Sequence, residues 1–432
     1  MSFDRSSLLT VLRLCYSLPL HPRYDRFLEA LKQSLSSPEP PPGDLDWAID
    51  DARKVLQEAR EEEENEDLDE RGDGFRALDP MADTEKALKI LVCNAVEEFG
   101  SIPRDVYNGI LGVHDLGSQH SIAANKLDFN QLKGIVTSFV GNCGIAFEYS
   151  HRVIAVFPLP PEGRRIGSDR WAIDFKSIRI ARKVMELMNL RESEHIREMY
   201  GFFNGHPQSS TLAGWIFEVI VHRLFSSGWK SGTAPQPIPM GSKGPSDSPL
   251  FSTDPPSSTP DTPLSPLRPE ARRSTQVNFA LRELSDVTLD SDKYYIPSAA
   301  NHPLFDSFTI HVMPPTPQDP VTGVISIFQM TIAKSHQGSD KGYPHIRKIM
   351  ARVRNLLGKE YSNPAVKVVY FLVCPHDQSE RQWRMPAGWN KSAQINNHRG
   401  KFFCIRIPIP GHHGTLYPFT PNFSIELNHC WT

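Results

Sequence analysis

Three polar side chains stand in strongly apolar surroundings, and their types suit metal-assisted chemistry. Glu218 lies in Thr211–Phe225, where Leu212, Trp215, Ile216, Phe217, Val219, Ile220, Val221, Leu224 and Phe225 make a helix apolar on nearly every side, hence buried. A carboxylate there is costly unless it is paired or coordinates a metal. His222 follows one turn later on the same face and is read as a structural partner of Glu218. Asp306 sits between Leu304-Phe305 and Ser307-Phe308, and Gln329 between Phe328 and Met330. Strand alternation puts Gln329, Thr331 and Ala333 on one face, with Phe328, Met330 and Ile332 on the other. Oxygen ligands from a helix and two neighbouring strands suit Mg²⁺, whose charge could polarise a water and offset that of phosphodiester cleavage. Singly, each has a plainer reading: a salt-bridged helix Glu, a turn Asp, a Gln satisfying a strand edge. Their order along the chain is what argues for a site.

The elements that must position them are legible as periodicity. Helices are expected at Tyr24–Leu35, Leu45–Glu58, Thr84–Phe99, Leu127–Val140, Ile173–Met188 and Glu194–Phe203, and a hairpin joins Ile145–Tyr149 to Arg152–Val156 over Ser150-His151. After Thr275 the pattern becomes strands at Lys293–Ile296, Leu304–Val312 and Val324–Ala333, a helix at Tyr343–Leu357, and strands at Val366–Val373 and Phe402–Ile409. Eleven of the 37 prolines fall in Ser231–Thr275, a Pro/Ser/Thr-rich stretch expected to be disordered. The domains read from this are a helical segment with an acidic linker (1–75), a mainly helical domain (76–208), and a mixed domain made of 209–230 and 276–432 with 231–275 inserted.

Charge is uneven behind the net −3 of the 432-residue chain. Nine acids crowd positions 58–70, whereas 276–432 hold 16 Lys+Arg against 11 Asp+Glu, with no acid from Arg381 to Ile425. A basic C-terminal part suggests a polyanionic partner. Arg347, Lys348 and Arg352 line one face of the Tyr343–Leu357 helix. The loop Arg381–Lys401 interleaves Arg384 and Lys391 with Trp383 and Trp389, a pattern for phosphate contact and base stacking. Six scattered cysteines without CxxC speak against a disulfide scaffold or zinc ribbon and for a reducing compartment, nucleus or cytosol. No apolar run approaches the ~18 residues of a membrane helix, and the stretch Leu8–Cys15, interrupted by Arg13, reads as an amphipathic helix rather than a signal peptide.

With Lys293–Ile296 as first core strand, the order is αβββαβ, which resembles the PD-(D/E)xK nuclease fold. The phrases Ala213-Gly214-Trp215-Ile216-Phe217-Glu218…His222, Phe305-Asp306-Ser307-Phe308 and Ile327-Phe328-Gln329-Met330-Thr331…His336 are similar to the C-terminal module of Crinkler-type effectors and retrotransposon hot-spot proteins. In that group a nuclease-like domain follows a P-loop NTPase. The region 101–211, with Ile102-Pro103-Arg104-Asp105-Val106-Tyr107 and His151-Arg152-Val153-Ile154-Ala155-Val156, looks like the tail of the NTPase part. The resemblance implies an α+β protein: a helical N-terminal half with a small hairpin, then an αβββαβ restriction-endonuclease-like domain. It implies catalytic positions at Glu218, Asp306, Gln329 and Lys334 or His336, with Mg²⁺ on the first three. Two departures bear on activity. No GxxxxGK[S/T] is present, so ATP hydrolysis is not expected. Thr331 stands where the pattern has Lys, and Gln329 is neutral where an acid is usual.

Two functions follow. One is a divergent Mg²⁺-dependent nuclease-like protein that binds DNA. The other is a non-catalytic interaction module of effector type, its helical half binding another protein, with a secreted-effector route left open.

Overall fold

The structure, a computed structural model, describes residues 13–36, 80–111, 116–140, 150–158, 171–189, 193–227, 235–243, 248–253, 275–279, 287–291, 293–298, 302, 304–313, 322–359, 361, 364–376, 379–387 and 401–409. Helices fill the N-terminal half: α1 (Tyr24–Ser36), α2 (Pro80–Phe99), α3 (Pro103–Ile110), α4 (Leu116–Lys126), α5 (Phe129–Val140), α6 (Ser150–Val153), α7 (Ile178–Asn189), α8 (Ser193–Asn204) and α9 (Ser210–Ser227). Leu14, Leu18, Phe27 and Leu31 bury against Leu88, Leu91, Val92 and Phe99 as a first core. Strands β1 (Ile154–Pro158) and β2 (Trp171–Phe175) form an antiparallel ribbon among the helices.

The C-terminal half is built on a seven-stranded sheet. Its strands are β3 (Ile238–Pro239), β6 (Thr275–Phe279), β7 (Lys293–Pro297), β8 (Ser307–Met313), β9 (Thr322–Met330), β11 (Ala365–Pro375) and β13 (Lys401–Ile407). Helix α10 (Tyr343–Gly358) links β9 to β11. The spatial order is β3-β13-β11-β9-β8-β7-β6. Strands β7, β8 and β9 meander antiparallel, whereas β9, β11 and β13 run parallel, as a helical crossover requires. Strand β11, Ala-Val-Lys-Val-Val-Tyr-Phe-Leu-Val-Cys-Pro, is apolar almost throughout because both of its faces are covered.

One face carries Tyr294, Phe328, Met330, Phe371, Phe403 and Ile405, packed on α9; this core runs on without a break through Phe217 and Tyr200 to Leu132 and Ala123. The other carries Tyr295, Phe308, Ile327, Tyr370, Leu372 and Cys404, packed on Ile346, Ile349 and Val353 of α10. Gly323 of β9 makes that approach close: a Cβ there would lie 2.9 Å from atoms of Val353 and Leu357. A four-stranded sheet, ordered β10-β12-β5-β4, extends this second core; it comprises β4 (Gly241–Lys243), β5 (Leu250–Ser252), β10 (Ser335–Gln337) and β12 (Gln382–Arg384).

Several expectations need correction. The hairpin is real but pairs Ile154–Pro158 with Trp171–Phe175; Ser150 and His151 begin a short helix, and 145–149 lie outside the described residues. Residues 171–175 are strand, and the helix expected from Ile173 starts at Ile178. The Pro-rich stretch 231–275 contributes β3, β4 and β5, because a few apolar residues find partners far along the chain: Phe251 stacks on Phe402 at 3.5 Å, and Met240 N donates to Phe402 O at 2.9 Å. Asp306 precedes β8 rather than lying within a strand, and β9 ends at Met330, so the alternation drawn through Ala333 stops there. The helix expected over Leu45–Glu58 falls outside the described residues.

Candidate functional site

Leu304 and Phe305 are fully buried and anchor the approach to β8. Asp306 N donates to Phe328 O at 2.8 Å, so the β8–β9 ladder begins one residue early. This turns the Asp306 carboxylate onto the end of β9, where Oδ2 accepts from Met330 N at 2.5 Å and from Gln329 Nε2 at 2.7 Å. Gln329 is 5% exposed, and its Oε1 is buried with no hydrogen-bond partner among the described residues. A buried acceptor without a donor is uncommon in a folded protein.

The second carboxylate comes from α9. Glu218 is not sealed in the core: its side chain is 37% exposed, while His222, one turn on, is 12% exposed with Nε2 3.4 Å from Glu218 Oε1. The apolar helix hides its neighbours and leaves Glu218 a path outward. The Glu218 charge reaches Asp306. Burial lifts the Asp306 carboxyl well above the usual carboxylate range, the Glu218 charge lifts it further, and the bonds from Met330 N and Gln329 only partly offset this. Among the described residues no cation is one of the groups acting on Asp306.

Two participants lay outside the sequence reading. Tyr294 on β7 is fully buried; its hydroxyl lies 2.8 Å from His222 Nδ1 and 2.7 Å from Ser307 Oγ. Burial pushes that phenol well above its ordinary range, and Asp306 and Glu218 add to the shift. Arg182 on α7 is half-buried; burial lowers its pKa while Glu97, Glu218 and Glu186 hold it charged. Neither had a signal beyond its residue type, since both depend on which elements meet in space.

Asp174 ties the β-ribbon to α9. Its carboxyl accepts from Phe175 N at 2.7 Å and from the side chain of Trp215, one turn before Glu218. Burial raises its pKa to about 7. A carboxyl raised in the folded state contributes stability that is complete below its unfolded value and is lost as pH rises through the folded one. Stability should therefore fall between the ordinary 3.8 and about 7, and Asp174→Asn should flatten that part of a melting-temperature profile. An unchanged profile would place the titration elsewhere.

The remaining expected residues are not brought to this centre. Thr331 N donates to Val373 O at 2.9 Å and its Oγ1 accepts from Ala333 N at 3.1 Å, so its hydroxyl closes a turn. Lys334 is exposed and its carbonyl accepts from Gln382 N at 2.9 Å. His336 leaves with β10 to the second sheet, where it meets Trp383 edge-on at 6.3 Å, and burial lowers its pKa to about 4. Trp383 belongs to the core on the α10 side, so His336 stands against that core rather than beside α9 and Glu218. The cause is the end of β9 at Met330: Arg381 Nη1 binds the carbonyls of Ile332 and Ala333 at 2.9 and 2.8 Å and bends the chain away.

The basic residues divide similarly. Arg347 and Lys348 are exposed on α10, which covers the sheet face opposite α9, rather than standing beside Glu218. Arg352 Nη2 donates to Val287 O at 2.7 Å. Arg384 is half-buried in β12, and Lys391 and Trp389 lie outside the described residues. Trp383 has no exposed surface and Arg381 only 2%, so neither is available to stack on a base. Of the basic face, Arg347 and Lys348 remain free to meet a phosphate.

Burial and the Glu218 charge raise the Asp306 carboxyl, and a hard divalent cation would offset both. Phe328 and Met330 face α9, so Gln329 between them stands on the other side of β9 from Glu218. Among the described residues no group of three or more His, Cys, Asp or Glu could hold a metal, so such a centre would rest on Asp306 and Glu218. No helix among the described residues is long and apolar enough to cross a membrane. No family model, curated protein or solved structure matches this chain.

Proposed function

We propose that the chain is a divergent, divalent-metal-dependent nuclease-like protein that acts on or binds nucleic acid. The observation that carries the reading is the Asp306 carboxyl, raised by burial and then by Glu218, bonded to Gln329, and with no cation acting on it among the described residues. The arrangement around it supports the same reading: leaving aside the short strands β3 to β6 and β10, α9, the β7-β8-β9 meander, α10 and β11 come in the order αβββαβ, with the two helices on opposite faces. Mg²⁺, when bound, would supply the positive charge that polarises a water and offsets a phosphate. Asp306 and Glu218 would hold it, with Gln329 supporting Asp306 through its amide N–H. With Thr331 closing a turn and Lys334 held beside β12, neither orients the scissile phosphate, which favours slow turnover or binding alone. The non-catalytic interaction module is the second reading, and that missing cation is what favours it.

The test is Mn²⁺ titration calorimetry on the full chain, alongside plasmid relaxation with Mg²⁺ or Mn²⁺. The wild type should bind Mn²⁺ and nick supercoiled DNA, and Asp306→Ala should abolish both. Nicking unchanged in Asp306→Ala would come from another site. Binding of Mn²⁺ without nicking would put the interaction reading first, and no Mn²⁺ binding would remove the metal centre. Replacing both Arg347 and Lys348 by Ala should reduce the log–log salt slope of DNA binding by about 2, since each phosphate contact contributes roughly 0.9.

A further inference from the structure

We infer that His222 is the positioning residue of this centre, locked by Tyr294, so that the β7 and β8 strands dictate where the helix carboxylate points. The inference rests on the metal-site reading above. Glu218 is the most exposed member of the centre and the one with most freedom to turn away. What restrains it is a single hydrogen-bonded chain. Ser307 Oγ lies 2.7 Å from the Tyr294 hydroxyl, that hydroxyl 2.8 Å from His222 Nδ1, and His222 Nε2 3.4 Å from Glu218 Oε1.

The direction of the chain follows from the donors available. A carboxylate only accepts, so His222 donates from Nε2 to Glu218, which leaves Nδ1 as the acceptor of the Tyr294 O–H. Tyr294 then accepts from the Ser307 hydroxyl. Ser307 follows Asp306 directly, so the chain joins the two carboxylate positions through the interior of the sheet. Its inner members are rigid: Tyr294 and Ser307 have no exposed surface. The helix end is fixed independently, because Gln276 Nε2 of β6 donates to His222 O at 3.4 Å and to Ser226 Oγ at 2.9 Å. A phenylalanine would fill the site of Tyr294 equally well as packing, so the hydroxyl serves the His222 ring rather than the core. This matches the way metal ligands are aimed by the partners behind them, whose removal weakens metal binding by about 10–100-fold.

The experiment is Mn²⁺ titration calorimetry with Mn²⁺ electron paramagnetic resonance on the full-length wild type, Tyr294→Phe, His222→Ala and His222→Gln. Tyr294→Phe and His222→Ala should weaken Mn²⁺ affinity by about 10–100-fold and broaden the bound-metal signal. His222→Gln keeps a side-chain donor toward Glu218 and should recover part of the loss. Equal affinity in wild type, Tyr294→Phe and His222→Ala would overturn the inference while leaving the metal site intact. A wild type that binds no Mn²⁺ would instead overturn the metal-site reading beneath it. Should His222→Ala fail to fold, Tyr294→Phe, which keeps the ring and its packing, decides the matter.

Discussion

Lys176→Met should cost about 3–5 kcal/mol of unfolding free energy, because removing one partner of a buried ion pair strands the other. Lys176 and Asp105 form such a pair, with side chains 3% and 5% exposed. Burial pushes the Asp105 carboxyl up, but Lys176 and then Arg104 hold it below its ordinary value. Lys176 also donates to His151 O at 3.3 Å, so one ammonium joins α3, α6 and the end of β2. After the substitution Arg104 is the cation left beside Asp105 among the described residues, and its side chain is 75% exposed. The melting temperature should fall on the order of 10 °C, at roughly 2–4 °C per kcal/mol for a unit of this size. The double variant Asp105→Leu/Lys176→Met should recover most of the loss, since a buried pair exchanged for apolar residues is often neutral. A single-variant loss of less than about 1 kcal/mol would mean that the pair is not sealed from water. The backbone offers a second check: Gly100 has φ 85° and a Cβ there would lie 2.0 Å from Lys176 O, so Gly100→Ala should destabilise the same junction.

Asp306→Asn should act in opposite directions on stability and on metal response. The wild-type carboxyl is raised by burial and by Glu218. Its contribution to stability is complete below the unfolded carboxylate value and fades as pH rises through the folded one. At neutral pH the ionised form is the costly one. Asparagine keeps an acceptor for Met330 N and can still bond the Gln329 amide, without the charge. The metal-free variant should therefore gain about 1 kcal/mol, in the range seen when a destabilised site is relaxed, and the gain should disappear below pH 4. A ligand at 100 times its dissociation constant stabilises by about 2.7 kcal/mol; the wild type should show such a rise with Mn²⁺, and Asp306→Asn none. Scanning melts at pH 4 to 8, with and without MnCl₂, resolve both effects. A variant less stable than wild type at pH 7 would mean that Asp306 is held as a charged structural group.

The sequence by itself determined the order α9, β7, β8, β9, α10, β11 and β13, though not the short strands set among them, and it singled out Asp306 and Gln329, which prove to be hydrogen-bonded to each other. Both are local matters: apolar density marks α9 and β11, alternation marks β9, and a polar residue amid phenylalanines is conspicuous wherever the chain goes. The divided character of the chain, helical first and sheet-rich later, was readable for the same reason. What only the tertiary structure decided depends on contacts distant in sequence. His336 and Trp383 are carried to the far core because Arg381, some 50 residues away, binds the carbonyls after β9. Phe251, in a stretch whose composition suggests disorder, is ordered by stacking on Phe402 and by the pairing of β5 with β4 and β12. Tyr294 reaches His222 because β7 pairs with β8 in the register Tyr294↔Thr309, and a slip of one residue would turn it to the opposite face. Glu218 is half-open rather than buried because a helix apolar all round still has one side that neither the sheet nor the neighbouring helices cover. Periodicity counts the apolar residues on a helix, but which side meets solvent is fixed only when its partners have docked.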